Sequence, residues 1–532
     1  MAHRFFNQGL NLTYGFNHGE AERSYREAIR LDSTCAMCYW GAAYVLGTNY
    51  NAAMEEAKQA EAQRLTQKAV EYSHNATDWE RALIQASVSR YSYEKTKDQS
   101  ILDKAYAEAM SKVYEQFTSH DDIVSLYAES LMNLHPWDLY TRRGEPKPWT
   151  HEIVHTIESV LKRNPHHPGA NHLYIHVVEA SATPERGLAS ADRLYDLMPG
   201  AGHIVHMPSH IYIRTGDYHK GSMVNEKAAE VDSLYITNCN SQGAYPLVYF
   251  PHNIHFLAAT AAFEGRGETS INAAFRVASH VDTTVMREAG MQTLQHYRMI
   301  PHYVLVKFMQ WDHILTLPQP ASDLVYPQSV WRYARGMAFA GKNKLPEAKQ
   351  ELKTLKTLMQ DSTLKTITIW ELNGADKLIE IASRVLQAEI LRKEGNNNTA
   401  ISLLQEATDI EDKLNYNEPP DWFFSVRHSL GAVLLENRQY KEAEKVFKDD
   451  LFFIPKNGWA LNGLYQSLIG QKKLNEAREV KKQFGQAWQY ADIELASSEV
   501  RPIAYRNINN EKFTGSYLAG LSTISVCSPG RK

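Results

Sequence analysis

Cysteine is scarce in this chain, with four residues in 532, which excludes the disulfide-knit scaffold of small secreted domains. Long apolar runs are missing too. Nothing approaches about eighteen consecutive apolar residues, so no transmembrane helix and no membrane insertion are expected. The opening MAHRFFNQG lacks the apolar core of a signal peptide. Because the chain enters an amphipathic helix at once, its compartment stays open: periplasmic or exported if a leader was removed, cytoplasmic otherwise. Nor does one charge dominate. Lys and Arg total 57 against 61 Asp and Glu, for a formal net charge of −4 with no long run of one sign. That balance gives no electrostatic case for nucleic acid or an anionic membrane.

Histidine is what the chain has in excess. Thirteen of its 22 histidines fall between positions 135 and 255, where even spreading would place about five. They gather in residues 171–179 (NHLYIHVVE), 202–210 (GHIVHMPSH) and 251–255 (PHNIH). His172, His176 and Glu179 are spaced i, i+4, i+7, and His203, His206 and His210 are spaced i, i+3, i+7, so each trio projects from one face of its helix. His172 to His206 and His176 to His210 are both 34 residues, the period of a helix-turn-helix tetratricopeptide (TPR) repeat.

Pro184, Tyr218, Gly267 and Trp311 serve as equivalent turn anchors. Counting back fifteen from them reaches His203, His252 and His296; twelve reaches His172, His206 and His255; eight reaches His176 and His210; five reaches Glu179. These offsets lie on one helical stripe.

The rest of the chain resembles TPR arrays. Residues 16–44 match a second helix, its turn and the next first helix, with Ala21, Tyr25, Ala28, Ala36, Tyr39 and Gly41 alternating small and large for close packing. Further units follow at 331–350, 386–404, 429–447 and, most clearly, 459–477. The resemblance implies an all-α, TPR-type α-solenoid with loop insertions over a concave groove. A His-rich array over 1–315, a second array over 328–490 and a tail over 491–532 are expected, with the Pro-rich stretch 315–327 as the boundary. Residues 135–150, rich in Pro and aromatics, read as a loop able to cover the groove, and 238–251 as an insertion. Cys35 and Cys38 read first as small buried thiols, with a redox or disulfide pair as the alternative.

His172, His176, His206 and His210 lead the candidate ligands, followed by Glu179, His203, His252 and His255, with His296 more distant. So many imidazoles packed without metal or partners would leave polar groups unsatisfied. Imidazole ligation suits copper, zinc or iron, and the shortage of carboxylates favours copper or zinc. Glu179 and Tyr212 are candidate catalytic groups, and Tyr174, Trp422 and Arg427 candidate substrate contacts, the last two from the interrupted stretch 415–427. His151 and His155 should face away from the groove on a second helix; His166, His167 and His219 should be solvated.

A wider resemblance joins the motifs at 16–21, 35–41, 171–181, 202–212 and 252–256. The chain is similar to bacterial His-rich TPR proteins of undefined function, which implies that the motifs form one unit and assigns no chemistry. The expected function is a metal-dependent enzyme with a mono- or dinuclear centre, sharpest as a copper-dependent oxidoreductase acting on a small molecule or peptide. A zinc hydrolase is one alternative. A TPR interaction scaffold with structural histidines, binding a protein partner in its groove, is the other.

Overall fold

The computed structural model describes residues 1–92, 98–239, 241 and 245–500. Its organising unit is a pair of antiparallel helices closed by one recurring turn. Phe16, Gly216, Gly265, Met309, Asn343, Gly395, Arg438 and Lys472 all take the left-handed conformation, with φ between 52° and 81°. After each, the next N–H donates to the carbonyl five residues back: Asn17 to Leu12, Asp217 to Tyr212, Arg266 to Ala261, Gln310 to Leu305, Lys344 to Phe339, Asn396 to Leu391, Gln439 to Leu434 and Lys473 to Leu468, at 2.8–3.0 Å. This bond satisfies a carbonyl the helix end would orphan and reverses the chain.

First and second helices alternate throughout: Ala2–Tyr14 with His18–Leu31, Ala36–Tyr44 with Gln59–Tyr72, Asp121–Met132 with Thr150–Arg163, Pro168–Val178 with Leu188–Leu197, and Phe250–Phe263 with Gly267–His280. Four regular hairpins follow, Val325–Gly341 with Leu345–Leu358, Ala375–Lys393 with Asn397–Glu411, Val426–Glu436 with Tyr440–Phe453, and Gly458–Gly470 with Leu474–Ala487. Tyr218, Gly267 and Trp311 each open a second helix, and Pro184 opens the short 3-10 turn before one. The four anchors used to align the histidines are therefore equivalent positions.

First helices are enclosed and second helices are amphipathic. Pro168–Val178 is buried from Gly169 to Val178, whereas Thr150–Arg163 exposes His151 and His155. Packing is large against small: a Cβ on Gly9 or on Gly41 would overlap the ring of Tyr25, which lies between them.

The chain divides into two compact units, Met1–Ile211 with Glu230–Asp232, and Tyr212–Ala229 with the chain from Ser233 onward. The stretch 315–327 lies inside the second unit, where Trp311–Thr316 packs on Val325–Gly341. A two-residue antiparallel pairing, Thr368–Ile369 with Asn373–Gly374, also belongs there. Of the tail, residues 491–500 are tied to the second unit by Trp488 Nε1–H to the Ile493 carbonyl (3.1 Å) and Ser498 Oγ–H to the His428 carbonyl (2.6 Å). Positions 501–532 lie outside the described residues. So do 240 and 242–244 of the insertion; its residues Tyr245–Tyr249 form a π-helical turn leading into Phe250–Phe263. Among the described residues no helix is long and apolar enough to cross a membrane.

Candidate metal centre

The site begins at the start of the helix Pro168–Val178. His167 caps it, its Nδ1 accepting from the Ala170 N–H at 3.0 Å, with Pro168 in the first turn where a missing N–H costs nothing. The other ring nitrogen of His167 lies 3.1 Å from Asp122 Oδ1, which also accepts the Tyr14 hydroxyl at 2.6 Å. His167 is therefore buried and structural, correcting the expectation that it is solvated. The carbonyl of Tyr14 lies 2.5 Å from Nδ1 of His172.

The second trio departs from one continuous helix. Gly202–His206 and Pro208–Thr215 are separate segments with Met207 between them. Pro208 has no N–H to continue the ladder, and the His210 N–H turns to the Met207 carbonyl at 3.1 Å. His203 and His206 thus precede the break and His210 follows it.

Six of the eight expected ligands come together, all in the first unit. One ring nitrogen from each of His172, His176 and His203 lies within 4.8 Å of the others, and all three side chains are buried. His172 Nδ1 is taken by the Tyr14 carbonyl and His176 Nδ1 lies 3.1 Å from Glu179 Oε1, while Nε2 of both has no hydrogen-bond partner. The other oxygen of Glu179 is 2.5 Å from Nδ1 of His210. His206 repeats the pattern, with Nδ1 3.2 Å from Ser209 Oγ and Nε2 3.0 Å from Nε2 of His210. In four rings, then, Nδ1 meets an outer group and Nε2 is left for a shared partner. That is how metal-binding imidazoles are oriented.

The electrostatics agree with neutral rings around one carboxylate. Burial, reinforced by His176, pushes His172 well below the ordinary histidine range. Burial also lowers His176, against the pull of Glu179. Burial alone would raise the Glu179 carboxyl, but His210 and His176 outweigh it and hold it at about 2. Neutral imidazoles are the form that takes a cation.

Three aromatic residues that the sequence pattern did not single out line this cluster. Phe16, at the left-handed position of the first turn, stacks on His176 and His203 at 6.0 Å and is tilted on His172 at 4.5 Å. Tyr50 lies 5.3 Å from the His176 ring, and Trp137 meets that ring edge-on at 5.6 Å. Trp137 comes from the Pro- and aromatic-rich stretch expected to form a covering loop.

The remaining candidates have other surroundings. Tyr174 donates its hydroxyl to Glu158 at 2.6 Å. His252 and His255 belong to the second unit, where His252 lies edge-on to Trp370 at 5.6 Å and His255 stacks on Phe423 at 5.2 Å, 6.0 Å from His296. His296 Nδ1 is 2.7 Å from the Tyr326 hydroxyl. In the same unit the Tyr212 ring lies under Lys220, and Trp422 packs between Tyr303 and Tyr333. Arg427 is engaged by Asp412 at 2.7 Å, with Glu411 at 3.7 Å. His219 is part-exposed, stacked on Tyr490 and 3.0 Å from Glu264, whereas His166 is exposed as expected. Cys35 and Cys38 form a disulfide across 5.3 Å between Cα atoms, so the first expectation of buried thiols gives way to its alternative.

The repeat identity follows from the turns. Met309 to Asn343 and Arg438 to Lys472 are 34 residues apart, each at the same left-handed position, which is the period of a TPR hairpin. The fold is of the tetratricopeptide-repeat type. No family model matches the sequence, and no curated protein does. Among solved structures, the TPR-type chain is similar to the APC/C hetero-tetramer Cut9-Hcn1, at 14% identity over 91% of this chain and 76% of that one, with a TM-score of 0.32. Human IFIT1 with m7Gppp-AAAA gives 11% identity, coverage of 84% and 89%, and a TM-score of 0.36. Yeast Tom70 gives 13%, 91% and 92%, and 0.26. The TPR assignment rests on the hairpins of this chain.

Proposed function

We propose that this TPR-type protein is a metal-dependent enzyme whose ion is held by His172, His176 and His203. The observation that carries the reading is the convergence of these three buried rings, with Nε2 of His172 and His176 bare while Nδ1 of each is fixed by another group. Packing neutral imidazoles without a partner would leave polar nitrogens unsatisfied. Three protein ligands leave a coordination position for water or substrate, as in catalytic sites. His206 and His210, their Nε2 atoms 3.0 Å apart, are the candidate ligands of a second ion. Glu179 acts as the outer partner that fixes His176 and His210.

Copper is the favoured ion, because the donors are all imidazole and the one carboxylate of the cluster is engaged by ring nitrogens. The function is then a copper-dependent oxidoreductase acting on a small molecule or peptide. A zinc hydrolase is the second reading, favoured by the same observation, since three histidines are also a catalytic zinc set. Elemental analysis of protein purified without added metal or affinity histidines, repeated on His172→Ala/His203→Ala, tests both. About one or two equivalents of copper, lost in the variant and visible by electron paramagnetic resonance when oxidised, would support the first reading. Zinc at that level would support the second, and absence of metal even after reconstitution would end both.

A further inference from the structure

The second unit buries another polar constellation, apart from the histidine cluster. Lys307, the last residue of the helix Thr293–Lys307, places its Nζ 2.8 Å from Nδ1 of His428. The Nε2 of that ring is 3.0 Å from Asp450 Oδ2, and Asn457 donates to the same oxygen at 3.0 Å. His428, Asp450 and Asn457 are buried, while the Lys307 side chain keeps partial exposure.

The chain of groups has a fixed direction. Burial would raise the Asp450 carboxyl, yet His428 and hydrogen bonds from Ser425 and Asn457 hold it below its ordinary value. Burial and Lys307 keep His428 low, so the ring is neutral. Its one N–H is drawn to Asp450, which leaves the Nδ1 lone pair facing the amine. The arrangement is that of a hydrolase triad, acid to imidazole to nucleophile, with an amine in the third place.

The walls around the amine are aromatic, with Nζ 3.8 Å from the centre of the Trp459 ring and 5.4 Å from that of Phe424. Besides His428, the ionisable groups that act on Lys307 are Asp450 and Glu499, and Glu499 is itself paired with Arg392 at 3.1 Å. Burial outweighs both carboxylates and brings the Lys307 ammonium down to about 7. A lysine made neutral this way is a nucleophile at ordinary pH.

We propose that Lys307 is a reactive amine, activated by His428 and Asp450, that condenses with the aldehyde or ketone carbonyl of an apolar molecule to form an imine. The Nζ lone pair attacks the carbonyl carbon. His428 Nδ1 takes the proton the nitrogen sheds and returns it to the departing hydroxyl. One C=N bond replaces one C=O bond, one water leaves, and nothing is oxidised or reduced.

The test treats the full-length protein with benzaldehyde and cyanoborohydride across pH 6 to 9, about the range over which such an amine titrates, and maps the labelled lysines by peptide mass spectrometry. At pH 7 Lys307 should be labelled about tenfold or more faster than the median lysine, and Asp450→Asn should remove that excess. Labelling of Lys307 no faster than exposed lysines at every pH in the parent would overturn the proposal without reference to any variant. Retention of the excess in a folded Asp450→Asn or His428→Gln protein would overturn the assigned activation.

Discussion

The Nδ1 of His172 lies 2.5 Å from the main-chain carbonyl of Tyr14, 158 positions earlier in the chain. The Tyr14 ring is seated over Gly169, where a Cβ would overlap it, and its hydroxyl is fixed on Asp122. Gly169→Ala should therefore displace the carbonyl as well as the ring. The expected cost is about 1–3 kcal/mol of stability from overpacking, with weaker metal uptake. Denaturant melts and chelator competition on one preparation check both, and unchanged uptake in a destabilised protein would mean that the Tyr14 carbonyl does not orient His172.

Glu179 offers one oxygen to His176 and the other to His210. In Glu179→Gln one acceptor becomes an amide donor, so one of the two rings loses its orienting partner. Metal affinity should fall by about 10–100-fold. Equal affinity in variant and parent would remove Glu179 from the site.

Acid should destabilise the protein well before carboxylates titrate. Burial holds His296 and His302 at about 3, against an ordinary value of 6.5. Between those values the unfolded chain binds protons that the native one refuses. Their contribution is complete above pH 6.5 and is lost as the pH falls toward 3, at about 1.4 kcal/mol per pH unit for each group. Neither ring nitrogen of His302 has a hydrogen-bond partner, so His302→Leu should fold and show a shallower loss between pH 6.5 and 5. An equal slope would mean that His302 does not stay neutral.

Cys35 and Cys38 should be oxidised in the purified protein. Mass spectrometry under non-reducing conditions should show them linked, and alkylation should reach them only after reduction. Because the closed loop is so short, reduction should cost no more than about 2 kcal/mol. A larger loss would point to strain relieved elsewhere rather than to chain entropy.

The alternation of Ala21, Tyr25, Ala28 and Gly41 and the 34-residue spacing of His172 with His206 made the hairpins and the histidine stripe legible, because both depend on helical period alone. What sequence could not reach was which atom of each ring is taken. The Tyr14 carbonyl comes to His172 from a distant hairpin, and Phe16, Tyr50 and Trp137 arrive at the cluster from three separate turns and loops. His167 was read as solvated because nothing local announces that Asp122 will sit beside it. The break at Pro208 was written in the chain, but regular spacing of His203, His206 and His210 outweighed it in the reading. Two cysteines three apart fit a thiol pair and a disulfide equally well until the backbone is placed.

The left-handed hairpin turn fixes where this architecture can absorb change during descent. Each reversal is closed by bonds spanning five residues, so a joint between hairpins can lengthen, as between 238 and 251, while the helices on either side keep their heading. Within a first helix no such slack exists. One residue inserted between His172 and His176 would swing one ring by about 100° relative to the other, dispersing the cluster while leaving every turn intact.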